Sequence, residues 1–125
     1  MKKIVLLTFT AFALSASGQT AEQVARELHR QNVPHAKIVL AQARLETGKF
    51  TSRRCKQDKN LFGMKRGRRY ARYRCWQDSV KDYKQRISSR YDGKENYYAF
   101  LKRIGYASDV RYTAKLRNII ATSKP

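Results

Sequence analysis

Acidic residues are the first thing this chain has little of. It carries 28 Lys and Arg against 9 Asp and Glu, a formal charge of +19 over 125 residues. That balance excludes a polycationic partner and calls for an anionic one: nucleic acid, lipid headgroups or an anionic cell-wall polymer. Histidine and cysteine are also short, at two each. His29 and His35 stand six apart with no acid patterned beside them, and Cys55 and Cys75 have no nearby His, so no zinc site is expected. No metal or organic cofactor is implied. Proline (two residues) and glycine (six) are sparse, and neither an internal repeat nor a low-complexity linker occurs, which leaves one small domain with one core. The longest apolar run, residues 4–14, is too short to span a bilayer.

That run reads instead as the centre of a secretory signal. Lys2 and Lys3 precede it as a basic region, and Ser15, Ala16, Ser17 and Gly18 follow as small cleavage-site residues. The expected organisation is therefore a signal peptide over residues 1–18 and a single domain over 19–125. Loss of Lys2 and Lys3 takes the charge from +19 to +17. Export to a secreted or periplasmic location makes nucleic acid the least expected anionic partner. It also puts Cys55 and Cys75 in an oxidising compartment, where an even pair reads as a disulfide. The bond would close a loop of about 20 residues, worth roughly 3 kcal/mol on the chain-entropy model. Two buried thiols are the alternative.

The apolar pattern is mostly helical. Thr20 and Gln23 form a capping box for a helix over residues 21–30, with Val24 and Leu28 on one face. Pro34 suits the first turn of a second helix over 34–46, which Gly48 stops. Residues 49–60 read as a basic loop. Residues 60–65 and 70–76 read as two short extended pieces around an Arg66-Gly67-Arg68-Arg69 turn. Asp78 or Ser79 can cap a third helix carrying Val80, Tyr83, Ile87 and Tyr91, broken by Asp92-Gly93. A fourth helix spans about 95–104, and Ser108 or Asp109 caps a last one with Tyr112, Leu116, Ile119 and Ile120 on one stripe.

One carboxylate stands apart. Glu46 is the only acid between Glu27 and Asp58 and ends the run Ala41-Gln42-Ala43-Arg44-Leu45-Glu46-Thr47-Gly48. The last turn of a helix is the negative end of its dipole and disfavours an anion. Apolar neighbours raise a carboxyl pKa further. A carboxyl still protonated near neutral pH is what protonation of a glycosidic oxygen requires. A solvated surface Glu is the competing reading, and spacing alone favours it.

Three blocks in order shift that balance. The segment Ile38-Val39-Leu40-Ala41-Gln42-Ala43-Arg44-Leu45-Glu46-Thr47-Gly48 resembles the catalytic helix of bacterial glucosaminidases, the peptidoglycan hydrolases that include flagellar muramidase-like domains. Lys59-Asn60-Leu61-Phe62-Gly63-Met64-Lys65 resembles the family's N-L-F-G-hydrophobic-K block. Gly105-Tyr106-Ala107-Ser108-Asp109-Val110-Arg111-Tyr112 resembles its G-Y-A-T-D-x-x-Y block. The resemblance implies an α+β, lysozyme-like fold, mostly helical with a small β-hairpin lobe and a cleft between the lobes. It implies Glu46 as general acid and Tyr106 as the tyrosine across the cleft that activity needs. Tyr106 also suits a core tyrosine behind a Gly105 helix cap. Asn60, Leu61, Phe62 and Gly63 would shape the lobe junction and cleft floor. Among these, Asn60 and Phe62 are candidate substrate-binding residues, although Phe62 reads first as a buried aromatic and Gly63 as a turn. Asp109 is read as a helix cap without chemistry.

The chain departs from the family where a second carboxylate is thought to come from the β-lobe. Residues 65–74 hold six cations and no acid, which puts a two-carboxylate pair in doubt. Asp58, Asp78 and Asp82 are the nearest acids by sequence. The substrate's own N-acetyl group is the alternative nucleophile. In the same lobe Tyr70, Tyr73 and Trp76 are candidates to stack on sugars while the cations hold anions. Strand alternation sets Arg68, Tyr70 and Arg72 on one face and Arg69, Ala71 and Tyr73 on the other. The resulting expectation is a monomeric, secreted endo-β-N-acetylglucosaminidase of peptidoglycan, drawn by charge to anionic envelope polymers. A muramidase, a lytic transglycosylase or a catalytically silent wall-binding module are the rivals.

Overall fold

Helix α1 (Ala21–Arg30) starts as its capping box requires. The Thr20 hydroxyl accepts from the Gln23 N–H at 3.1 Å and the Gln23 side chain accepts from the Thr20 N–H at 2.8 Å. The computed structural model to which it belongs describes residues 19–123; the expected signal, residues 1–18, lies outside the described residues. Val24 and Leu28 of α1 are fully buried. Helix α2 (Ala36–Glu46) begins two residues later than its sequence suggests, because His35 is left-handed at φ 53 and cannot continue a helical turn. The His35 ring braces that corner, its Nε2 3.0 Å from the Tyr91 hydroxyl and its face 5.0 Å from the Tyr97 ring.

Helix α2 buries Val39, Ala41, Gln42 and Ala43. Its two small alanines let α6 (Tyr112–Thr122) lie along it, with Leu116 and Tyr112 turned inward. Between them the core is completed by Tyr83 of α4 (Trp76–Arg86), Tyr97 and Phe100 of α5 (Tyr97–Arg103), and Leu61 and Phe62 from a loop. Asn96 caps α5 by accepting from the Tyr98 and Ala99 N–H groups. Burial of a leucine such as Leu116 is worth about 2–5 kcal/mol against alanine.

Helix α3 (Arg53–Asp58) is an addition to the sequence reading. Ser52 caps it, accepting from the Cys55 N–H at 3.1 Å. The expected Cys55–Cys75 disulfide is not formed. Both thiols are free; the Cys55 sulfur is buried and accepts from Gln19 Nε2 at 2.9 Å, while Cys75 sits half-buried on the extended residue before α4.

The β-lobe is shorter than its sequence suggests. Strands β1 (Lys65–Arg66) and β2 (Arg69–Tyr70) pair antiparallel, Lys65 opposite Tyr70 and Arg66 opposite Arg69. Gly67, at φ +66, takes the first place of the two-residue turn, where a left-handed residue is required. Asp82 of α4 staples the lobe down: its Oδ2 accepts from the Tyr73 hydroxyl at 2.5 Å and faces Arg86 at 3.2 Å and Arg66 at 3.6 Å. The fold is α+β, lysozyme-like and mostly helical with one small hairpin lobe. Among the described residues no helix is long and apolar enough to cross a membrane.

Candidate active site

Glu46 is the last residue of α2, and the chain beyond it is closed tightly. The Thr47 hydroxyl donates to the Ala43 carbonyl at 2.6 Å and accepts from the Phe50 N–H at 2.9 Å; the Lys49 N–H returns to the Arg44 carbonyl at 2.8 Å. These bonds satisfy orphan groups at the helix end and fix the direction in which Glu46 leaves it.

A second loop closes on that carboxylate. Asn60 is completely buried and all its amide capacity is used: Oδ1 accepts from the Phe62 and Met64 N–H groups at 3.3 and 3.1 Å, and Nδ2 donates to the Met64 and Ala71 carbonyls at 2.9 and 3.0 Å. The knot folds residues 60–64 into a turn and ties it to the hairpin. At its tip Gly63 has φ +65, and a Cβ built on it would meet Glu46 Oε1 at 2.9 Å. The glycine is required twice, by its backbone and by the carboxylate against it. Asn60 and Phe62, the candidates to touch substrate, both have buried side chains and belong to the turn that presents Gly63.

The third element brings two tyrosines. Gly105, at φ +69, ends the turn after α5 and the Tyr106 N–H bonds back to the Leu101 carbonyl at 3.0 Å. The half-buried Tyr106 donates its hydroxyl to the Phe62 carbonyl at 2.9 Å and packs its ring 5.8 Å from that of Tyr112. Burial, then the neighbouring Tyr112 and Glu46, push its hydroxyl pKa well up, so it remains a donor. The Tyr112 hydroxyl reaches Glu46: it faces Oε2 at 3.4 Å and accepts from Gln42 Nε2 at 3.2 Å. Burial raises the Tyr112 pKa as well.

Gln42 and Tyr112 are site residues that sequence reasoning did not single out. A signal existed for each: Gln42 lies four residues before Glu46, on the same helical face, and Tyr112 closes the third block. The other acids point elsewhere. Asp58 pairs with Arg72 at 3.3 Å, Asp82 holds the hairpin, and Asp78 lies in the first turn of α4 beside a groove that Arg30, Gln31 and Lys81 share. Among the described residues no group of three or more His, Cys, Asp or Glu is placed to hold a metal.

The aromatic candidates are spread out. Tyr70 is exposed, with Lys65 Nζ 4.9 Å from its ring centre. Tyr73 is half-buried and its hydroxyl is taken by Asp82. Trp76 lines a separate groove of about 910 Å³ between α1 and α3, with Arg26, Lys56, Lys59 and Arg74 around it; Glu46, Gly63, Tyr106 and Tyr112 are not among its walls. The site thus gathers Glu46, Gly63, Tyr106, Tyr112 and Gln42, and leaves Trp76 outside.

The family model named Glucosaminidase, described as mannosyl-glycoprotein endo-beta-N-acetylglucosaminidase, matches residues 21–125. Comparisons with curated proteins and with solved structures find no match.

Proposed function

Because the chain belongs to the glucosaminidase family of peptidoglycan-directed glycoside hydrolases, we propose that Glu46 is its proton donor and that it cleaves the glycan strand on the reducing side of N-acetylglucosamine. One observation carries this reading: the Glu46 carboxyl lies against the Gly63 turn on one side and faces the Tyr112 hydroxyl on another, between two different parts of the fold. In the proposed reaction Glu46 gives its proton to the glycosidic oxygen as the bond to the anomeric carbon breaks. The carbonyl oxygen of the substrate's 2-acetamido group attacks that carbon from the opposite face and forms a cyclic oxazolinium. Water then adds to the anomeric carbon, gives its proton to the Glu46 carboxylate and reopens the ring. Substrate assistance of this kind needs no second protein carboxylate. The engagement of Asp58 and Asp82 in ion pairs supports it. Tyr112, kept protonated, gives its proton to the carboxylate that Glu46 becomes, while Tyr106, whose proton the Phe62 carbonyl takes, has its hydroxyl lone pairs left for the cationic intermediate.

The chain would be exported by its first 18 residues, act as a monomer in a secreted or periplasmic setting, and meet the wall through its basic surface. Lys65, Arg66, Arg68, Arg69 and Arg72 are all exposed on the hairpin lobe, and stem-peptide carboxylates or polymer phosphates are their expected partners. The identity of the new chain end tests the bond specificity. Digestion of purified peptidoglycan is expected to leave reducing N-acetylglucosamine. Reducing N-acetylmuramic acid would make the protein a muramidase, an anhydro-muramic end would make it a lytic transglycosylase, and wall binding without released fragments would make it a silent binding module.

A further inference from the structure

A line of hydrogen bonds runs inward from Glu46 and ends in the core. Tyr112 Oη faces Glu46 Oε2 at 3.4 Å and Gln42 Nε2 faces Tyr112 Oη at 3.2 Å. On its other side Gln42 Oε1 is 2.5 Å from Tyr83 Oη, which is 2.7 Å from Tyr97 Oη. Gln42 and Tyr83 are 0% exposed and Tyr97 1%. The four members come from four helices, α2, α6, α4 and α5.

The carboxylate end dictates which way every proton points. Once Glu46 has given up its proton its carboxylate only accepts, and a phenol has one proton to give. Tyr112 must therefore aim its proton at Glu46 and take one from Gln42, which only the amide nitrogen can supply. The amide oxygen then faces Tyr83 and takes that proton, so Tyr97 donates to Tyr83. Burial keeps Tyr83, Tyr97 and Tyr112 protonated, which is what the sequence of donors requires. With the amide turned over, its oxygen would take the Tyr112 proton and Glu46 would face a lone pair. At 3.4 Å the contact to Glu46 is long for an O–H···O bond, so it depends on the hydroxyl being held in aim. An apolar side chain of the same size would fill the space but leave the Tyr83 and Tyr112 hydroxyls without this partner, so glutamine serves the hydrogen bonds and not the packing.

We propose that Gln42 is a positioning residue of the glycosidase: held by Tyr83, its amide sets the direction of the chain and keeps the Tyr112 proton on Glu46 as that carboxyl gives up its own proton. This rests on the reading of Glu46 as the acid.

The test compares Gln42→Met and Gln42→Glu with wild type on soluble glycan fragments of peptidoglycan, with rates normalised to the folded fraction from near-ultraviolet circular dichroism. Methionine matches the volume and donates nothing. Its kcat is expected to fall about tenfold or more, the worth of one hydrogen bond to a charged group, with KM within about twofold of wild type. Gln42→Glu carries its own signature. The titratable groups around position 42 are the phenols of Tyr83, Tyr97, Tyr106 and Tyr112 and the carboxyl of Glu46. An ionised Glu at 42 would draw the Tyr112 proton away from Glu46, whereas a protonated one donates to Tyr112 as the amide does. Burial raises the pH at which that carboxyl titrates toward the neutral range, so the ratio of its kcat to that of wild type is expected to rise as pH falls through it. A Met variant with wild-type kcat overturns the proposal, and so does a flat ratio for the Glu variant, which decides the matter if Gln42→Met does not fold. Activity surviving Glu46→Gln would instead overturn the premise; a dead Glu46→Gln beside an undiminished Gln42→Met would remove the present inference alone.

Discussion

A Cβ at residue 63 would stand 2.9 Å from Oε1 of Glu46, inside van der Waals contact, on a backbone at φ +65 that costs an L-residue of order 1 kcal/mol or more. Either the carboxyl or the turn must then move, and the turn is pinned by the four hydrogen bonds of Asn60. Gly63→Ala is therefore expected to displace the carboxyl and lower kcat by an order of magnitude or more, with a modest fall in melting temperature. Gly93→Ala is the matched control. Gly93 is left-handed too, at φ +81, but a Cβ there meets nothing within 4 Å, so it is expected to lose stability and keep kcat. Melts and glycan-cleavage rates of the two variants check the contrast; equal losses of activity would show strain alone at work. The cysteines differ in the same local way. Burial pushes the Cys55 thiol pKa up, leaving less thiolate at neutral pH, while Cys75 is half-buried. Brief alkylation followed by peptide mapping is expected to label Cys75 first, with Cys55 catching up only as pH rises.

At the scale of elements, the hairpin lobe depends on one acid from another helix. The Asp82 carboxylate, 8% exposed, takes Tyr73, Arg86 and Arg66 together. Asp82→Ala strands the Tyr73 hydroxyl and leaves two cations, Arg66 of the lobe and Arg86 of α4, without their counter-charge. A loss of about 1–3 kcal/mol is expected, read from denaturant unfolding, with the secondary structure of the helices intact. The same elements show what sequence can and cannot disclose. Helix α1 was legible to its ends because a capping box and an apolar face agree. Helix α2 was legible apart from its first turn, since no pattern rule anticipates a left-handed histidine held between Tyr91 and Tyr97. Helix α3 was not legible, because six residues of mixed charge carry no period and its only mark is the Ser52 cap. In the site, Glu46 was visible only through the company of two distant blocks. Gln42 and Tyr112 were read past, as their partners lie 41 to 70 residues away along the chain. The Tyr106 hydroxyl was expected across from Glu46, and its contact with the Phe62 carbonyl depends on a turn that only the folded loop defines.

For the whole molecule the governing quantity is charge. The expected mature chain carries +17, its hairpin cations point to solvent, and the groove around Trp76 is ringed by Arg26, Lys56, Lys59 and Arg74. Exposed charges at these separations act through solvent and are screened within a Debye length, about 10 Å at 0.1 M salt and 3 Å at 1 M. Binding to intact walls is expected to weaken steeply between those ionic strengths, as pull-down with purified sacculi would measure; binding indifferent to salt would contradict an electrostatic approach. Cleavage of short uncharged glycan should respond much less, because such a substrate carries no anion for the surface cations to hold. Everything about catalysis converges on that one carboxyl, and the most direct measurement is a parallel digest of purified peptidoglycan by wild type, Glu46→Gln, Asp58→Asn and Asp78→Asn, with mass analysis of the released fragments. The expected result is no turnover for Glu46→Gln and most of the activity kept by both aspartate variants. Undiminished release by Glu46→Gln, or an aspartate variant as inactive as it, would contradict a glycosidase that works with a single acid.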